Sequence, residues 1–487
     1  MVRCRIPCLP GFPALAITMA GTPEYQVTHS PCDHILTNIA VWSPDGQWIA
    51  YDVRPASGAF TGSRIERVNT ISGRVEILYA APAGSHCGVV TWSPANPDPA
   101  RPRLVFIQGP EPETPDWTYA FSRRRGVILE LRESPVLPPL ASPLEALNHA
   151  PPFTPGALRG GSHAHTFSGD GQWVSFTCND NLLASLDALP ASARPPEHDP
   201  DQRNIGISIP ATLAGPDGLV RVNRNHPRNL DADRFSVIVS HTVAHPRPGS
   251  DEINRAIEDA WIGVDGYRRG DGTRQRKAVA FLGQVVAPGG HEHAEVFVLD
   301  LPENPAGLTR AANPALPLEG TATTRPGLPA GVVQRRITFT DHHLHPGVAT
   351  TPRHWPRSSP DGEHIAFLMC DDTGIIQFWL ASPRGGLPRQ LTRIAPPDFR
   401  EGVSSAFSWS PDGRRLAAVI DGSVCLIDAT TGGVTRLAPK RAGADAPLGF
   451  ACVLSPDGRQ IAFQRKIRDP ESPENEYAQI FVVGVPE

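Results

Sequence analysis

A short phrase that returns along the chain constrains the fold more than any other feature. It consists of serine, proline, aspartate and glycine in that order, and two of its copies are looser. The copies begin at Ser43, Ser93, Ser168, Ser359, Ser410 and Ser455. Proline fixes φ at the first turn position, aspartate hydrogen-bonds its own backbone, and glycine adopts a positive φ. Short apolar runs follow most copies, so the phrase predicts hairpin turns between strands.

The spacing of the copies predicts the architecture. Repeats of roughly 45–50 residues are typical of β-propellers, in which blades of four strands surround a central channel. The long gap between Ser168 and Ser359 holds one blade that has no copy. We place the first strand of this blade, blade 4, at 237–239, with insertions at about 244–276 and 301–333. The sequence therefore predicts an all-β fold, a single seven-bladed β-propeller over 19–487.

The two ends of the chain are expected to meet in blade 7. This blade stops at a third strand, 479–483, and its missing outer strand is found at 25–28, which resembles the outer strand at 390–392. An N-terminal strand in this position closes the ring and removes an exposed sheet edge.

A short helical insertion is predicted in blade 4. Three apolar residues recur there at helical spacing: Ile253, Ile257 and Trp261. Asp251 and Glu252 suit the first turn of a helix. Such a helix could cover the channel and bring Asp251, Glu252 or Arg255 over it. The alternative is a helix packed on the rim with its charges in solvent.

Composition excludes several classes of function. The net charge is −5 with scattered signs, which gives no basic surface for nucleic acid. No apolar run approaches the ~20 residues of a membrane span. The eight cysteines form no CxxC pair, and several lie in apolar runs, so we expect buried free thiols rather than disulfides.

The N-terminal segment has two interpretations. Residues 1–18 are an annotation artefact with Met19 as the natural start, which we favour, or residues 1–20 form a weak signal segment interrupted by prolines. The first interpretation predicts a cytoplasmic protein, and the second a periplasmic one.

Four histidines fall on or just before predicted innermost strands. They are His86, His163, His165 and His354. In a regular strand, the i, i+2 spacing of His163 and His165 puts both imidazoles on one face, where they can hold one divalent ion such as Zn²⁺ or Mn²⁺. The alternative is that these are solvated or hydrogen-bonded histidines.

Two further histidine clusters flank strands of blade 4. The segment 341–345 connects blade 4 to blade 5 and could bring His343 and His345 to the channel mouth. His291 and His293 precede the third strand and are expected on the surface.

From about residue 25 to 485, the chain resembles an uncharacterised bacterial propeller family, the YidR type. The segments that carry the resemblance are 52–55, 159–163, 248–255, 319–324 and 352–355. The blades are more distantly similar to TolB-type propellers and to oligogalacturonate lyase. In the lyase, histidines placed before such a turn hold a divalent metal, and His163, His165 and His354 are similar in placement.

Two functions follow as hypotheses. The first is a metal-assisted lyase for uronate-containing saccharides, with the metal on the four histidines, Arg159 helping to neutralise the carboxylate, and His241 and Glu252 as further catalytic candidates. The second is a non-catalytic, TolB-like propeller that binds a protein, peptide or saccharide. The expected partner is an acidic saccharide or a protein ligand, and the fold alone favours neither.

Overall fold

Antiparallel four-stranded sheets repeat seven times along the chain. The structure, a computed structural model, describes residues 18–19, 23–55, 60–96, 98–109, 112–132, 138–213, 218–395 and 402–486. Each sheet is one blade, and the strands of a blade follow one another from the channel outwards. The predicted seven-bladed β-propeller is confirmed.

The strands are given blade by blade, from the innermost to the outer one. Blade 1 contains Asp33–Ile35, Trp48–Arg54, Arg64–Asn69 and Val75–Ala80, and blade 2 contains His86–Trp92, Arg103–Gly109, Arg125–Glu130 and Leu140–Pro143. Blade 3 contains Gly160–Phe167, Val174–Asp180, Asn204–Pro210 and Arg234–Ile238. Blade 4 contains Arg255–Trp261, Ala278–Val286, Glu292–Asp300 and Val333–Arg336. Blade 5 contains Arg357–Ser358, Ile365–Cys370, Ile376–Ala381 and Arg389–Gln390. Blade 6 contains Ser408–Trp409, Arg415–Ile420, Ser423–Asp428 and Val434–Arg436. Blade 7 contains Cys452–Leu454, Gln460–Arg468, Glu476–Gly484 and Glu24–Gln26.

Smaller elements lie in the connections. Two-stranded pairs form between Ala146–Leu147 and Ala157–Leu158 and between Tyr267–Arg268 and Arg274–Gln275. The α-helix Asn181–Asp187 follows the second strand of blade 3, and the Asp180 carboxylate caps it by accepting from the Leu182 and Leu183 amides. Short 3₁₀ helices span Phe121–Arg123, Ala191–Ala193, Ala211–Leu213, Pro305–Gly307 and Gly443–Asp445.

The repeated phrase forms the hairpin turns as predicted. In the blade 6 copy, the Ser410 hydroxyl donates to Asp412 at 2.5 Å and accepts from the Arg415 amide at 2.9 Å. The Asp412 carboxylate also accepts from the Arg414 amide at 3.0 Å, and Gly413 has a φ of +70°. The same contacts recur in the copies of blades 1, 3, 5 and 7.

The N-terminal strand closes the ring, as the sequence predicts. Tyr25 pairs with Val482 in an antiparallel register, which makes Glu24–Gln26 the outer strand of blade 7. The Glu24 carboxylate reinforces the closure with Arg465 at 2.7 Å and Arg441 at 2.5 Å. Upstream, Thr18–Met19 adds a parallel strand to the edge of blade 6. Residues 1–17 lie outside the described residues.

Blade 4 differs from its prediction at the first strand. Residues 237–239 extend the outer strand of blade 3, and the first strand of blade 4 is Arg255–Trp261. The predicted helix is therefore wrong. A spacing of four residues fits a strand, whose period is two, as well as a helix, so Ile253, Ile257 and Trp261 do not distinguish the two. A β-bulge between Ile257 and Ala260 also inserts an extra residue and interrupts the alternation.

The two insertions also have different outcomes. Residues 244–254 link blade 3 to blade 4, and only 262–277 lie between the first two strands of blade 4. The insertion 301–333 does lie before the last strand of blade 4, and it packs Leu308 and Leu318 onto the core between blades 3 and 4.

Hydrophobic clusters between neighbouring blades form the core. Between blades 1 and 2, for example, Ile65 and Phe106 are fully buried and belong to one cluster. Burying a side chain of this size stabilises the fold by about 2–3 kcal/mol. Packing between neighbouring blades thus stabilises the ring, and the residues at the strand ends are free to differ from one blade to the next.

The cysteines within the described residues are free. Cys87, Cys178, Cys425 and Cys452 are buried, and burial raises the pKa of their thiols. In the same part of the chain, no helix has the length and apolar character needed to cross a membrane.

Candidate functional site at one mouth of the channel

Strand direction gives the channel two different ends. Each innermost strand runs towards its hairpin turn, and the second strand runs back. The turns therefore gather at one end, the turn mouth. The starts of the innermost and third strands and the ends of the second strands gather at the other end.

The turn mouth is lined mainly by apolar side chains. It holds a cavity of about 370 Å³. Tryptophans and turn prolines from successive blades line this cavity, including Trp42, Trp92, Trp261, Trp409, Pro44, Pro360, Pro411 and Pro456.

The opposite end, the arginine mouth, gathers five arginines from five blades. They are Arg54, Arg124, Arg203, Arg255 and Arg353. Each stands at a strand end on this side: Arg54 ends a second strand, Arg124 and Arg203 precede third strands, and Arg255 and Arg353 start or precede innermost strands. Residues far apart in sequence therefore share one surface.

The charges of these arginines act on one another. Burial, followed by the nearby charge of Arg255, lowers the pKa of Arg203, and Arg353 and Arg124 add to this repulsion. Burial also lowers the pKa of Arg124, with smaller contributions from Arg54 and Arg353. Such mutual repulsion marks a surface that is suited to receive negative charge.

Two carboxylates partly offset the positive charge. The Glu258 carboxylate accepts from Arg353 at 2.8 and 3.2 Å, and the Asp52 carboxylate accepts from Arg54 at 2.7 Å and from the Val89 amide at 2.9 Å. Asp52 is fully buried, and burial raises its pKa.

Aromatic rings stand between the arginines. The Arg124 guanidinium lies over Phe60 at 4.4 Å, over Tyr119 at 5.2 Å and over Phe121 at 5.3 Å from the ring centroids. Arg203 also lies over Phe121, at 5.7 Å. Phe121 is 58% exposed, so this ring is open to a ligand.

His163 lies at the arginine mouth beneath Phe121. The centroids of the two rings are 6.4 Å apart, and Nδ1 of His163 accepts from Arg124 at 3.4 Å. Burial, followed by the charges of Arg203 and Arg124, holds the pKa of His163 well below its usual value. His163 is therefore neutral at physiological pH.

His165 is buried between blades 2 and 3 and contacts a different set of groups. Its Nε2 lies 2.8 Å from the Ser162 hydroxyl, which donates to the Glu145 carboxylate at 2.6 Å. The bulge between His163 and Thr166, with Ala164 at a φ of +53°, interrupts the strand alternation. The one-face prediction for His163 and His165 assumed a regular strand and is wrong for that reason.

His354 has both ring nitrogens in hydrogen bonds. Nδ1 donates to the Pro352 carbonyl at 3.0 Å, and Nε2 accepts from the Leu368 amide at 3.0 Å. The side chain thus ties the blade 5 entry to its second strand. His86, at the start of blade 2, is half-buried.

The four predicted histidines do not come together as one metal-binding group. His354 offers no nitrogen lone pair, and Nε2 of His165 belongs to the Ser162–Glu145 network, whereas Nδ1 of His165 and Nε2 of His163 are buried without a hydrogen-bond partner among the described residues. Within the described residues, three potential ligand groups come within 4.8 Å of one another at His291, His293 and Asp341, and none of the four predicted histidines is among them.

Arg159 and His241 line a separate cavity of about 640 Å³ between blade 3 and the 301–333 insertion. The Arg159 guanidinium is buried and donates to Asp180 at 2.5 and 2.9 Å and to the Thr324 carbonyl at 2.9 Å. Arg159 therefore holds the 301–333 insertion against blade 3. His241 is exposed, and its backbone pairs with the Gln334 side chain.

The other candidates are spread over blades 3 to 5. Glu252 pairs with Arg247 at 2.9 Å in the link before blade 4, and Asp251 is exposed 3.8 Å from Arg336. His343 packs edge-on against Trp379 at 5.4 Å, and His345 is exposed. Of the candidates from sequence, His163 and Arg255 lie among the arginines of this mouth, and His86 and His354 stand at strand starts on the same side.

Sequence reasoning missed four of the five arginines. Each of them lies beside a strand end on the same side of the disc, and this is the signal that could have identified them. The sequence placed the strands beside Arg54 and Arg353 correctly, so these two arginines could have been assigned to this mouth from the predicted strand order.

Solved structures with similar folds include two lyases and one TolB protein. Oligogalacturonate lyase in complex with manganese has a TM-score of 0.49 and 11% identity, with 97% of both chains covered. The oligogalacturonate lyase from Vibrio parahaemolyticus has a TM-score of 0.48 and 9% identity, with 98% of both covered. The putative TolB from Agrobacterium tumefaciens has a TM-score of 0.35 and 14% identity, with 88% of this chain and 100% of that chain covered. These similarities in fold do not indicate an activity for this chain.

Sequence comparison is more specific. The family model described as "Protein of unknown function (DUF3748)" matches residues 86–230. The protein of Escherichia coli (strain K12) described as "Uncharacterized protein YidR" is 44% identical over 451 residues, which cover 91% of this chain and 97% of the relative. The chain therefore belongs to the YidR family of propellers.

Proposed function

We propose that this protein binds an acidic saccharide, an oligouronide, at the arginine mouth. The observation that carries the proposal is the convergence of five guanidinium groups from five blades, with only partial compensation by Glu258 and Asp52. Guanidinium groups match carboxylates in a two-pronged geometry, and a bound carboxylate relieves the repulsion among them.

The aromatic side chains fit a saccharide better than a simple ion. Phe121 exposes a flat apolar face beside Arg124 and Arg203, so a sugar ring can stack while its carboxylate reaches a guanidinium. A ligand with repeated sugar rings and carboxylates would use both features at once.

Isothermal titration of the full chain with trigalacturonate tests the proposal. Arg255 and Arg353 are exposed, so the Arg255→Gln/Arg353→Gln variant should fold normally and bind at least tenfold more weakly. Arg414→Gln/Arg459→Gln, which removes the same charge from exposed positions at the turn mouth, is the matched control and should bind as the unaltered protein does.

Other ligands separate the alternatives. Maltotriose, which has no carboxylates, should not bind. An oligoglutamate with the same number of carboxylates should bind more weakly than trigalacturonate. If it binds equally well, the arginine mouth recognises an acidic protein segment, as in the TolB-like hypothesis, and the saccharide proposal is wrong.

A second candidate is β-elimination on the bound uronate, favoured by the neutral His163 beside Arg124. Arg124 and Arg203 would neutralise the uronate carboxylate and acidify the adjacent C–H. In turning to the carboxylate, Arg124 would release Nδ1 of His163, whose freed lone pair would take that proton as the C–O bond to the next sugar breaks; the leaving oxygen would be protonated from His163 or water. The carboxylate would also raise the pKa of His163 towards a useful range. An unsaturated product absorbing in the near ultraviolet, absent with His163→Gln, would support this step.

A further inference from the structure

We propose that His291, His293 and Asp341 form a divalent metal site, selective for Zn²⁺, beside the two outer strands of blade 4. His291 and His293 flank the start of the third strand, Glu292–Asp300, and Asp341 follows the outer strand, Val333–Arg336. Potential ligand atoms of the three side chains all lie within 4.8 Å of one another. The site lies at the same end of blade 4 as Arg255, since Asn254 donates to Glu292 at 2.9 Å, but none of its three ligands belongs to the arginine mouth.

The His293 side chain is already placed as metal-bound histidines are. It is 6% exposed, and Nε2 lies 3.1 Å from Glu295 and 3.6 Å from Asp341. Nδ1 is buried with no hydrogen-bond partner among the described residues. Histidines that hold a metal through one ring nitrogen almost always donate the other to a carboxylate or carbonyl, and Glu295 can accept that bond.

The surrounding structure holds His293 in this position. A side chain at Gly347, which has a φ of +91°, would place its Cβ 2.8 Å from the His293 Cβ, so the loop after Asp341 rests directly on the histidine. Glu295 is fixed by the Thr340 amide at 2.7 Å and the Thr340 hydroxyl at 2.8 Å. One ligand and its carboxylate partner are thus preorganised.

The local charge balance favours a cation. Glu295, Asp341 and Asp251 surround a single guanidinium, that of Arg336, which contacts them at 2.9, 3.2 and 3.8 Å. Three carboxylates against one guanidinium leave an excess of negative charge beside two imidazoles. A divalent ion would offset that excess.

The ligand types select the metal. Two imidazoles and one carboxylate suit Zn²⁺ with a water in the fourth position, whereas Mg²⁺ and Ca²⁺ prefer oxygen ligands. Zn²⁺ needs ligand atoms about 2.0–2.2 Å away, so His291 and Asp341, both exposed, must close in by rotation. Mn²⁺ should bind the same site more weakly, in line with the general order of divalent affinities.

Zn²⁺ titration of chelator-treated, untagged full-length protein tests the inference. The unaltered chain should bind one Zn²⁺ at this site, and its melting temperature should rise with Zn²⁺ concentration. His291→Ala/His293→Ala should lose this binding by at least tenfold, and so should Asp341→Asn, which keeps the side-chain shape. The matched control, His342→Ala/His364→Ala, removes two exposed imidazoles and should bind as the unaltered chain does.

Equal Zn²⁺ affinity in the unaltered chain and in Asp341→Asn would overturn the proposal, as would an equal loss in the control variant. Because Asp341 is exposed, Asp341→Asn keeps the test valid even if the double histidine variant fails to fold. Trigalacturonate binding should be the same with and without Zn²⁺, so this result can be separated from that of the proposed function.

Discussion

The two mouths of the channel are built from the same strands and differ in what they present. At the turn mouth, the repeated serine–proline–aspartate–glycine turns converge, and their prolines and tryptophans line an apolar cavity. At the arginine mouth, the chain enters and leaves the blades through connections of unequal length, which carry Arg124, Arg203 and Arg353. The repeat thus specifies one face of the disc, and the irregular connections give the other face its charge.

The difference teaches where to look for function in a propeller of this kind. On a face that is formed by a repeat, the polar side chains make hydrogen bonds within the turns, as the Ser410 and Asp412 side chains do. A face that is free of the repeat can accumulate uncompensated charge. Substitutions at the turn mouth should therefore change stability, and substitutions at the arginine mouth should change binding.

The largest effect is expected at the turn mouth. Gly171 has a φ of +69°, and an added Cβ would lie 1.9 Å from the Ala95 carbonyl of the neighbouring turn. Gly171→Ala should cost about 3–5 kcal/mol through the clash and the left-handed backbone. Gly46→Ala, at the same turn position with its nearest contact at 3.9 Å, should cost about 1–2 kcal/mol. Thermal unfolding compares the two, and equal losses would contradict the role of close turn packing.

Behind the arginine mouth, a buried acid should make stability depend on pH. Burial raises the pKa of Glu145 to about 7, above its value in the unfolded chain. The folded state therefore holds a proton that the unfolded chain has released, and this contribution to stability is lost as the pH rises from about 4.3 through about 7. Glu145→Gln should stabilise the fold at pH 8 by up to about 3 kcal/mol and change little at pH 4. Unfolding measured at both pH values checks the sign, and a gain at pH 4 alone would contradict it.

A smaller effect should separate binding from stability. Phe121→Ala removes an exposed ring at the arginine mouth and should weaken trigalacturonate binding about tenfold, which corresponds to about 1.4 kcal/mol. The melting temperature should stay unchanged. Leu387→Ala, at an exposed position of blade 5, is the control for loss of a surface apolar group. If Phe121→Ala binds trigalacturonate with unchanged affinity, the proposed stacking of a sugar ring on Phe121 is wrong.

The smallest effect is expected at a single turn. Hydrogen bonds from Ser410 and the Arg414 amide lower the pKa of Asp412, so the carboxylate stabilises the turn above its unfolded pKa and that stability is lost as the pH falls. Asp412→Asn should cost about 1 kcal/mol or less at pH 7. Its pH dependence is opposite in sign to that of Glu145, and binding of trigalacturonate should not change.

The blade count and the ring closure could be predicted because they depend on local signals. The turn chemistry at Ser43 or Ser455 is readable in five residues, and the strand at 25–28 resembles other outer strands. The helix at 251–261 was predicted wrongly because a spacing of four residues fits a helix and a strand alike, and the face shared by His163 and His165 was predicted wrongly because of a bulge. Both lie at bulges, where Glu258 and Ala164 have φ values of +58° and +53°, and a bulge leaves no clear mark in a single sequence.

The site was harder to predict because its parts are distant in sequence. Arg54 and Arg353 both come near Arg124 only because the ring is closed, and neither belongs to a motif. The histidines attracted attention by their number, yet His354 uses both ring nitrogens and His165 uses Nε2 in hydrogen bonds within the fold. Chemical type alone does not show whether a side chain is already engaged by its neighbours.

The closing strand also has a consequence for the order in which the protein can form during synthesis. Glu24–Gln26 leaves the ribosome before any complete blade, but its partner, Glu476–Gly484, is made almost a whole chain later. Blades 1 to 6 can pack in order as they emerge, whereas the ring has to wait for the last segment. Until then, the early strand and the flank of blade 1 stay unpaired, so the interval before Glu476–Gly484 emerges is when the nascent chain is most exposed to aggregation and to chaperones.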